Sequence, residues 1–215
     1  MEEHAVVLDY DTARYPFQRV LAAQVFRTAS LDQLHRAWKS RTRRDELVYA
    51  DNLTLRKVMQ RLPEDCDFYK VYHAWIAKEV APKYGNRISY SAHPKMRVHL
   101  AGTGSVSDFH RDAEITGRPE QINCYLPFTD VQDTSTIWIE CGYGARDYEP
   151  VNLRYGQALI WDGGRLEHGT YPNLTDSTRV SCDFRFESMH PERVVSPWRD
   201  VLAGRPDSLS PQRTT

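Results

Sequence analysis

Between positions 95 and 186 the sequence alternates apolar and polar residues with a period of two, the spacing of β-strands that bury one face. Met96 and Val98, for example, are apolar, and Arg97 between them is charged. Glycines separate these segments, and the whole pattern predicts seven or eight short strands. Short strands that follow a helical region fit a jelly roll, whose polar strand face meets water or lines a cavity. The clearest strands are predicted at 95–100, 122–128, 136–140, 151–153, 157–161 and 179–186.

The residues that precede this β core have helical patterns. Ser30 and Gln33 fit a capping box, which predicts a helix that begins at Ser30. Two more helices are predicted over 51–62 and 65–80, and the last has an apolar stripe with a spacing of four. That stripe consists of Phe68, Tyr72, Ile76 and Val80. We therefore expect a mainly β domain over 1–202, with an edge strand at 5–8, a helical buttress at about 30–82, a β core at about 95–186, and a disordered tail at 203–215.

Composition excludes several classes of partner. The chain of 215 residues has 28 Lys plus Arg and 29 Asp plus Glu, so its formal charge of −1 favours neither nucleic acid nor an anionic membrane. No apolar run is long enough to cross a bilayer and the first residues do not resemble a signal peptide, which predicts a cytoplasmic protein. The four cysteines lack metal-binding spacing and are expected to be reduced: Cys66, Cys124, Cys141 and Cys182.

His110 and Asp112 are the first candidates for chemistry. Two residues apart in a strand, they would project from the same side, so an imidazole and a carboxylate would reach one ion together. Such a pair is common by chance, but His168 follows downstream, and Arg179 and Ser181 lie beyond it. Two histidines and one carboxylate form the facial triad of non-haem Fe(II) oxygenases, which leaves coordination positions open for co-substrates.

This ordered set (H-x-D, a distal histidine, then R-x-S) resembles the motifs of the Fe(II)/2-oxoglutarate-dependent oxygenases. The run from about 95 to 186 resembles their double-stranded β-helix, a cupin-like jelly roll. The segment at 159–170 is similar to small oxygenases encoded with aminoglycoside antibiotic pathways, of the streptomycin and hygromycin type. The resemblance implies a dioxygenase that uses Fe(II) and O2 and converts 2-oxoglutarate to succinate and CO2.

The resemblance also implies a role for each motif residue. His110, Asp112 and His168 would bind iron, and the carboxylate favours hydroxylation, ring closure or desaturation over halogenation. Arg179 would bind the distal carboxylate of 2-oxoglutarate through its planar fork of donors, with help from the Ser181 hydroxyl. The polar face of the following strand would add supporting contacts from Asn123 and Tyr125.

The substrate contacts are expected on the remaining polar strand faces. Glu140 and Asp183 make the predicted pocket polar and partly acidic, which suits a cationic aminocyclitol or amino sugar. Arg97, His99 and Trp138 are further candidates for this pocket, and His99 is an alternative metal ligand. The competing interpretation is that Glu140 and Asp183 form internal pairs with arginines, which would leave the pocket neutral.

Two other functions fit the same pattern. A cupin-like metal enzyme without 2-oxoglutarate would use the triad but would have no role for Arg179. A jelly roll that binds a sugar without chemistry would use only the polar cavity. In each case the expected partner is a small polar molecule.

Overall fold

The computed structural model describes residues 5–190 of the chain. The tail predicted at 203–215 and the end of the domain predicted at 202 lie outside these residues. Within them, every helix is too short or too polar to cross a membrane. The fold is mainly antiparallel β, with two sheets in a jelly-roll-like arrangement and helices before the β core.

The larger sheet has six strands and the smaller sheet has three. The larger one has the order β1-β7-β4-β9-β2, with β3 also paired to β9, and the smaller one has the order β6-β5-β8. The strands of the described residues are β1 (Ala5–Asp9), β2 (Ile88–Tyr90), β3 (Lys95–His99), β4 (Ile122–Pro127), β5 (Trp138–Glu140), β6 (Tyr148–Pro150), β7 (Gln157–Trp161), β8 (His168–Gly169) and β9 (Arg179–Ser188). The edge strand predicted at 5–8 is confirmed, because β1 pairs with β7 alone.

The helices pack on one face of the larger sheet. They are α1 (Phe17–Val20), which continues as a π-helix (Leu21–Phe26), α2 (Leu34–Thr42), α3 (Tyr49–Gln60), α4 (Asp67–Trp75), which continues through Ile76–Val80 and Ala81–Lys83, and the short α5 (Asp112–Thr116). The apolar stripe predicted on α4 is confirmed, since all four of its side chains are buried. A further short 3-10 turn lies at Asp133–Ser135.

Strand β9 organises the sheet and separates its two chemical faces. It pairs with β4 on one side and with β2 and β3 on the other. Its apolar side chains join the core beneath the helices: Val180, Cys182, Phe184 and Phe186. Its alternate side chains line a cavity between the sheets: Arg179, Ser181, Asp183 and Arg185. The period of two in the sequence therefore predicted both faces correctly.

Several elements differ from the prediction. The helix at 17–26 was not predicted, and α2 begins at Leu34 because the Ser30 hydroxyl bonds the Asp32 carboxylate rather than a helix N–H. Positions 151–153 are not a strand: the strand is β6, and Leu153 only bridges Val131. Short apolar runs beside turns do not specify register, so packing decides which residues pair. The four cysteines are free, as predicted.

Candidate metal and anion site

His110 and His168 lie opposite each other because their backbones pair. Each backbone N–H donates to the carbonyl of the other at 3.0 Å. On its other side His168 pairs with Ile139 of β5, so the His110 segment extends the smaller sheet beyond β8. A Cβ at Gly169 would lie 2.9 Å from the Phe109 Cα, so glycine allows this close approach. One potential ligand atom from each of His110, Asp112 and His168 lies within 4.8 Å of the others.

Asp112 reaches the two histidines from a helix rather than from a strand. It is the first residue of α5, which corrects the prediction that both H-x-D residues lie in a strand. Arg111 between them is nevertheless extended, with φ −105° and ψ 131°, so His110 and Asp112 project to the same side. The Asp112 N–H donates to the Gly163 carbonyl at 3.0 Å, which fixes the start of the helix.

Both histidines present the same ring nitrogen to the site. His110 Nδ1 lies 2.7 Å from the Asp108 carbonyl and His168 Nδ1 lies 2.9 Å from the Leu166 carbonyl. A carbonyl oxygen only accepts hydrogen bonds, so each Nδ1 holds the proton. The lone pair of each Nε2 is then available to a metal, the arrangement usual for metal-binding histidines.

The carboxylate of Asp112 is ionised and held from two sides. Burial opposes its ionisation, but close contacts with His110, Arg185 and Asn123 outweigh burial and lower its pKa. Arg185 Nε donates to Oδ2 at 2.7 Å and its Nη2 pairs with Oδ1. Burial lowers the pKa of His168, which favours the neutral imidazole that binds metals.

Gly163 leaves the space that Asn123 needs to reach Asp112. The Asn123 Nδ2 donates to Asp112 Oδ2, and a Cβ at Gly163 would lie 2.4 Å from that nitrogen. We therefore expect Gly163→Ala to displace the amide and weaken metal binding by ~10- to 100-fold, the usual effect of losing a support to a ligand. Metal titration of the purified variant measures this change. Gly104→Ala is the control, because nothing lies within 4 Å of its Cβ position, and equal affinities in the two variants would contradict the role of Asn123.

Arg179 is a buried cation without an acceptor for most of its donors. Its exposed fraction is 1%, and its Nε and Nη1 make no hydrogen bond within the described residues. The buried hydroxyl of Ser181, one pleat along the same face, is also unbonded. A buried polar group left without a partner costs about 1–3 kcal/mol. The arrangement therefore suits an anionic ligand that accepts hydrogen bonds from these groups.

One cavity brings most of the predicted site residues together. It is lined by the three candidate ligands and by Arg179, Ser181, Asn123, Tyr125, Arg97 and Asp183. Four residues outside the predicted site also line it: Lys95, Arg185, Ser107 and Thr170. Lys95 and Arg185 continue the polar faces of β3 and β9, so the period of two contained the signal for both. Ser107 and Thr170 come from loops, for which the pattern contains no signal.

Three predicted substrate contacts do not line this cavity. Glu140 is buried behind it, where its carboxylate accepts from the N–H groups of Arg146 and Glu167 at 2.9 and 3.2 Å. The Trp138 indole donates to the Asp133 carbonyl. His99 Nε2 lies 3.0 Å from the Gly104 carbonyl. Burial and the nearby Arg179 lower the pKa of His99 to about 3, so it is a neutral core residue.

The predicted acidic pocket is therefore wrong. Asp183 does line the cavity, but its carboxylate pairs with Arg97 Nε at 2.9 Å. Glu140 instead bonds Arg111 Nη2 at 3.4 Å, and Arg111 lies between two candidate ligands in sequence. This contact between Glu140 of β5 and Arg111 ties the H-x-D segment to the smaller sheet. The alternative interpretation of the sequence, in which Glu140 and Asp183 pair with arginines, is therefore the arrangement in the structure.

Glu140→Gln tests this structural role. Gln has one acceptor oxygen, so a backbone N–H that bonds the carboxylate would lose its partner, at a cost of about 1–3 kcal/mol. Burial opposes ionisation of Glu140, but the two backbone N–H groups and Arg111 lower its pKa. Its stabilisation is therefore complete above the unfolded pKa of about 4.3 and disappears as the pH falls through the lower folded value.

Urea unfolding over a range of pH measures this effect. The difference in the free energy of unfolding between the wild type and Glu140→Gln should be largest at neutral pH and should decrease in acid. Glu149→Gln on β6 is the control, because this side chain is exposed. A stable Glu140→Gln variant with an altered response to substrate would restore Glu140 as a substrate contact.

Comparison with known proteins places the chain in a family. No known protein-family profile matches it. Over 150 residues it is 33% identical to the streptomycin biosynthesis protein StrG of Streptomyces griseus, an alignment that covers 65% of this chain and 69% of StrG. The chain belongs to the StrG family.

Two solved structures illustrate what this StrG-family chain is similar to. The non-haem α-ketoglutarate-dependent carbocyclase SnoK of nogalamycin biosynthesis has 13% identity and a TM-score of 0.53, with 86% of this chain and 80% of SnoK covered. This likeness shows a common fold. A nickel complex of the non-haem monooxygenase ThoJ has 17% identity and a TM-score of 0.49, with coverages of 86% and 74%.

Proposed function

We propose that this protein is a non-haem Fe(II)/2-oxoglutarate-dependent oxygenase of antibiotic biosynthesis. The supporting observation is that one cavity contains both a cluster of two histidines and a carboxylate and the buried, unbonded donors of Arg179. A set of three candidate metal ligands alone fits many enzymes. A buried guanidinium beside it fits a co-substrate with a carboxylate at the end remote from the metal.

The ligand set fits Fe(II). His110, Asp112 and His168 would bind the ion through two neutral imidazoles and a carboxylate, which leaves positions open for other ligands. Bound iron would supply the redox chemistry that couples decarboxylation of 2-oxoglutarate to oxidation of a substrate by O2. Asn123 and Arg185 would keep Asp112 oriented, because both donate to Oδ2 and Arg185 also bonds Oδ1.

The donor set around Arg179 fits the distal carboxylate of 2-oxoglutarate. Its fork would bind the carboxylate through two parallel hydrogen bonds, and the Ser181 hydroxyl would add a third. Tyr125, whose ring centre lies 6.0 Å from the guanidinium carbon, would form one wall. The cavity has a volume of ≈ 30 Å³, enough for about two water molecules, so side chains at its mouth must move to admit a dicarboxylate.

Trp161 closes the metal site toward β7. Its ring meets His168 edge-to-face, with centroids 5.5 Å apart and an interplanar angle of 89°. The tryptophan is 1% exposed, and its Nε1 has no partner within the described residues. We infer that this contact fixes the plane of the imidazole and excludes water from that side. An inward-facing indole N–H also offers a donor to a bound co-substrate.

The substrate is proposed to be a polar natural-product intermediate. Membership of the StrG family and the earlier resemblance support an amino-sugar or aminocyclitol compound, hydroxylated or oxidised to close a ring. The cavity lining supports a polar molecule but gives no free carboxylate for an ammonium group, because Asp112 and Asp183 are both paired.

Formation of succinate tests the proposal. Protein incubated with Fe(II), 2-oxoglutarate and O2 should form succinate slowly without substrate, and omission of iron should stop the reaction. A cupin-like metal enzyme without 2-oxoglutarate, or a sugar-binding jelly roll, would form none. Absence of iron-dependent succinate, both alone and with a panel of sugar and aminocyclitol intermediates, would contradict the proposal.

A further inference from the structure

A second, open cleft adjoins the metal cavity. Its volume is ≈ 410 Å³, within the range of small-molecule sites. Three residues line both spaces: Lys95, Asp183 and Arg185. A molecule bound in the cleft would therefore contact side chains that also line the metal cavity. The cleft is the natural place for the part of a substrate that is not oxidised.

The metal cavity has an excess of positive charge. Four cationic side chains and two carboxylates line the metal cavity, which leaves two formal positive charges with its histidines neutral. The cations are Lys95, Arg97, Arg179 and Arg185, and the carboxylates are Asp112 and Asp183. A divalent metal ion and the 2-oxoglutarate dianion cancel each other, so the excess remains when both are bound.

Lys95 is the cation that is available to a ligand. Arg97 pairs with Asp183, and Arg185 pairs with Asp112. The Lys95 residue is exposed, and its side chain has no hydrogen bond or ion pair with another residue between 5 and 190. Asp183 lies directly across from it in the β3–β9 register but is neutralised by Arg97. An unpaired cation at the junction of two cavities favours an anion there.

Neutral hydrogen-bonding groups also line the cleft. Tyr69, Ser91 and Gln60 contribute hydroxyl and amide groups to the lining. His93 also lines the cleft, but its ring nitrogen lies 3.3 Å from the Glu64 carboxylate, so it adds no free charge. Several neutral donors around one lysine suit an oxyanion with more than one acceptor oxygen.

We infer that the substrate bears an anionic group, a phosphate or a carboxylate, which binds Lys95 in this cleft. The inference depends on the proposed function only in naming the ligand a substrate. It adds an anionic group to the proposed polar substrate and replaces the acidic pocket expected from the sequence with a cationic one. The anion anchors one end of the molecule and leaves a neutral, hydroxyl-rich part to reach the metal.

Four hexoses of similar size test the charge preference. Glucose 6-phosphate, glucuronate, glucose and glucosamine are titrated by calorimetry into protein loaded with Fe(II) and 2-oxoglutarate without O2, so that the Arg179 site is filled. The two anions should bind ~5-fold more tightly than glucose, the fold-change at the upper end of what an exposed charge pair contributes. Glucosamine should bind no better than glucose. The tighter of the two anions identifies phosphate or carboxylate as the group.

A lysine variant assigns the preference to the cleft. Lys95→Gln should remove most of the advantage of the anions, and added salt should do so in the wild type. Lys70→Gln is the matched control, because Lys70 is 66% exposed and its ion pair among residues 5–190 is with Asp67. The inference would be overturned if glucosamine bound as tightly as the anions, or if neither anion bound. It would also be overturned if Lys95→Gln bound the anions as tightly as the wild type does.

Succinate formation by the same preparation separates the two proposals. Succinate without a charge preference among the hexoses would contradict the anionic substrate alone. A Lys95-dependent preference without iron-dependent succinate would contradict the proposed function, while the anion site would stand.

Discussion

His168→Ala is expected to lose nearly all of its affinity for Fe(II). The variant removes one of three candidate ligands and leaves His110 and Asp112, which cannot complete a facial triad. Loss of a mere support to a ligand costs ~10- to 100-fold in affinity, so loss of the ligand should exceed that. Anaerobic calorimetry with Fe(II), together with the iron content of the purified protein, measures the effect. Succinate formation should fall to the level seen without iron.

The histidine control for this experiment lies outside the cavity. His73 is half-buried on α4, where its Nδ1 lies 2.9 Å from the Tyr90 hydroxyl. His73→Ala should bind iron as the wild type does, and thermal unfolding of both variants checks that each is folded. The triad would be disproved if His110→Ala and His168→Ala each bound one iron with undiminished affinity.

Arg179→Ala should raise the requirement for 2-oxoglutarate steeply and leave iron binding nearly intact. Loss of a charge-assisted contact from a buried site costs on the order of 2–5 kcal/mol, or ~30-fold to more than 1000-fold in affinity. Arg179→Lys keeps the charge but not the planar fork, so its affinity should fall between those of alanine and the wild type. The rate of succinate formation as a function of 2-oxoglutarate concentration measures the change.

Iron binding separates a lost ligand contact from a damaged fold. Arg179 is fully buried, so its removal also leaves a cavity in the protein. A folded Arg179→Ala variant with normal iron affinity and a high requirement for 2-oxoglutarate supports the assignment. An unchanged requirement would move the carboxylate site to another cation of the cavity, with Arg97 the next candidate.

The strand faces were predictable because they depend on local periodicity. Alternation on β9 separated Val180 and Cys182, which join the core, from Arg179 and Ser181, which line the cavity. The stripe on α4 was predictable for the same reason, with a helical spacing. Element boundaries were less accurate: α2 begins at Leu34 because the Ser30 side chain bonds Asp32 instead of the backbone.

The error at Glu140 has a different cause. A glutamate in a short strand has the same pattern whether its carboxylate meets a substrate or buried N–H groups. Its partners Arg146 and Glu167 lie on the following turn and beside His168, and only folding places them together. The error in the predicted charge of the pocket followed from the error at Glu140, because Glu140 was one of the two carboxylates on which the predicted acidic pocket depended.

The sequence by itself determined which residue types are available for chemistry and which strand face each occupies. The spacing of His110 and Asp112, and the alternation around Arg179, are local properties that any fold with these strands retains. Tertiary structure decided which side chains meet. The backbone pairing of His110 with His168, the neutralisation of Asp183 by Arg97, and the free ammonium of Lys95 all depend on register between segments distant in sequence. Register is set by packing of the whole sheet, so the charge of the cavity could not be deduced from any single strand.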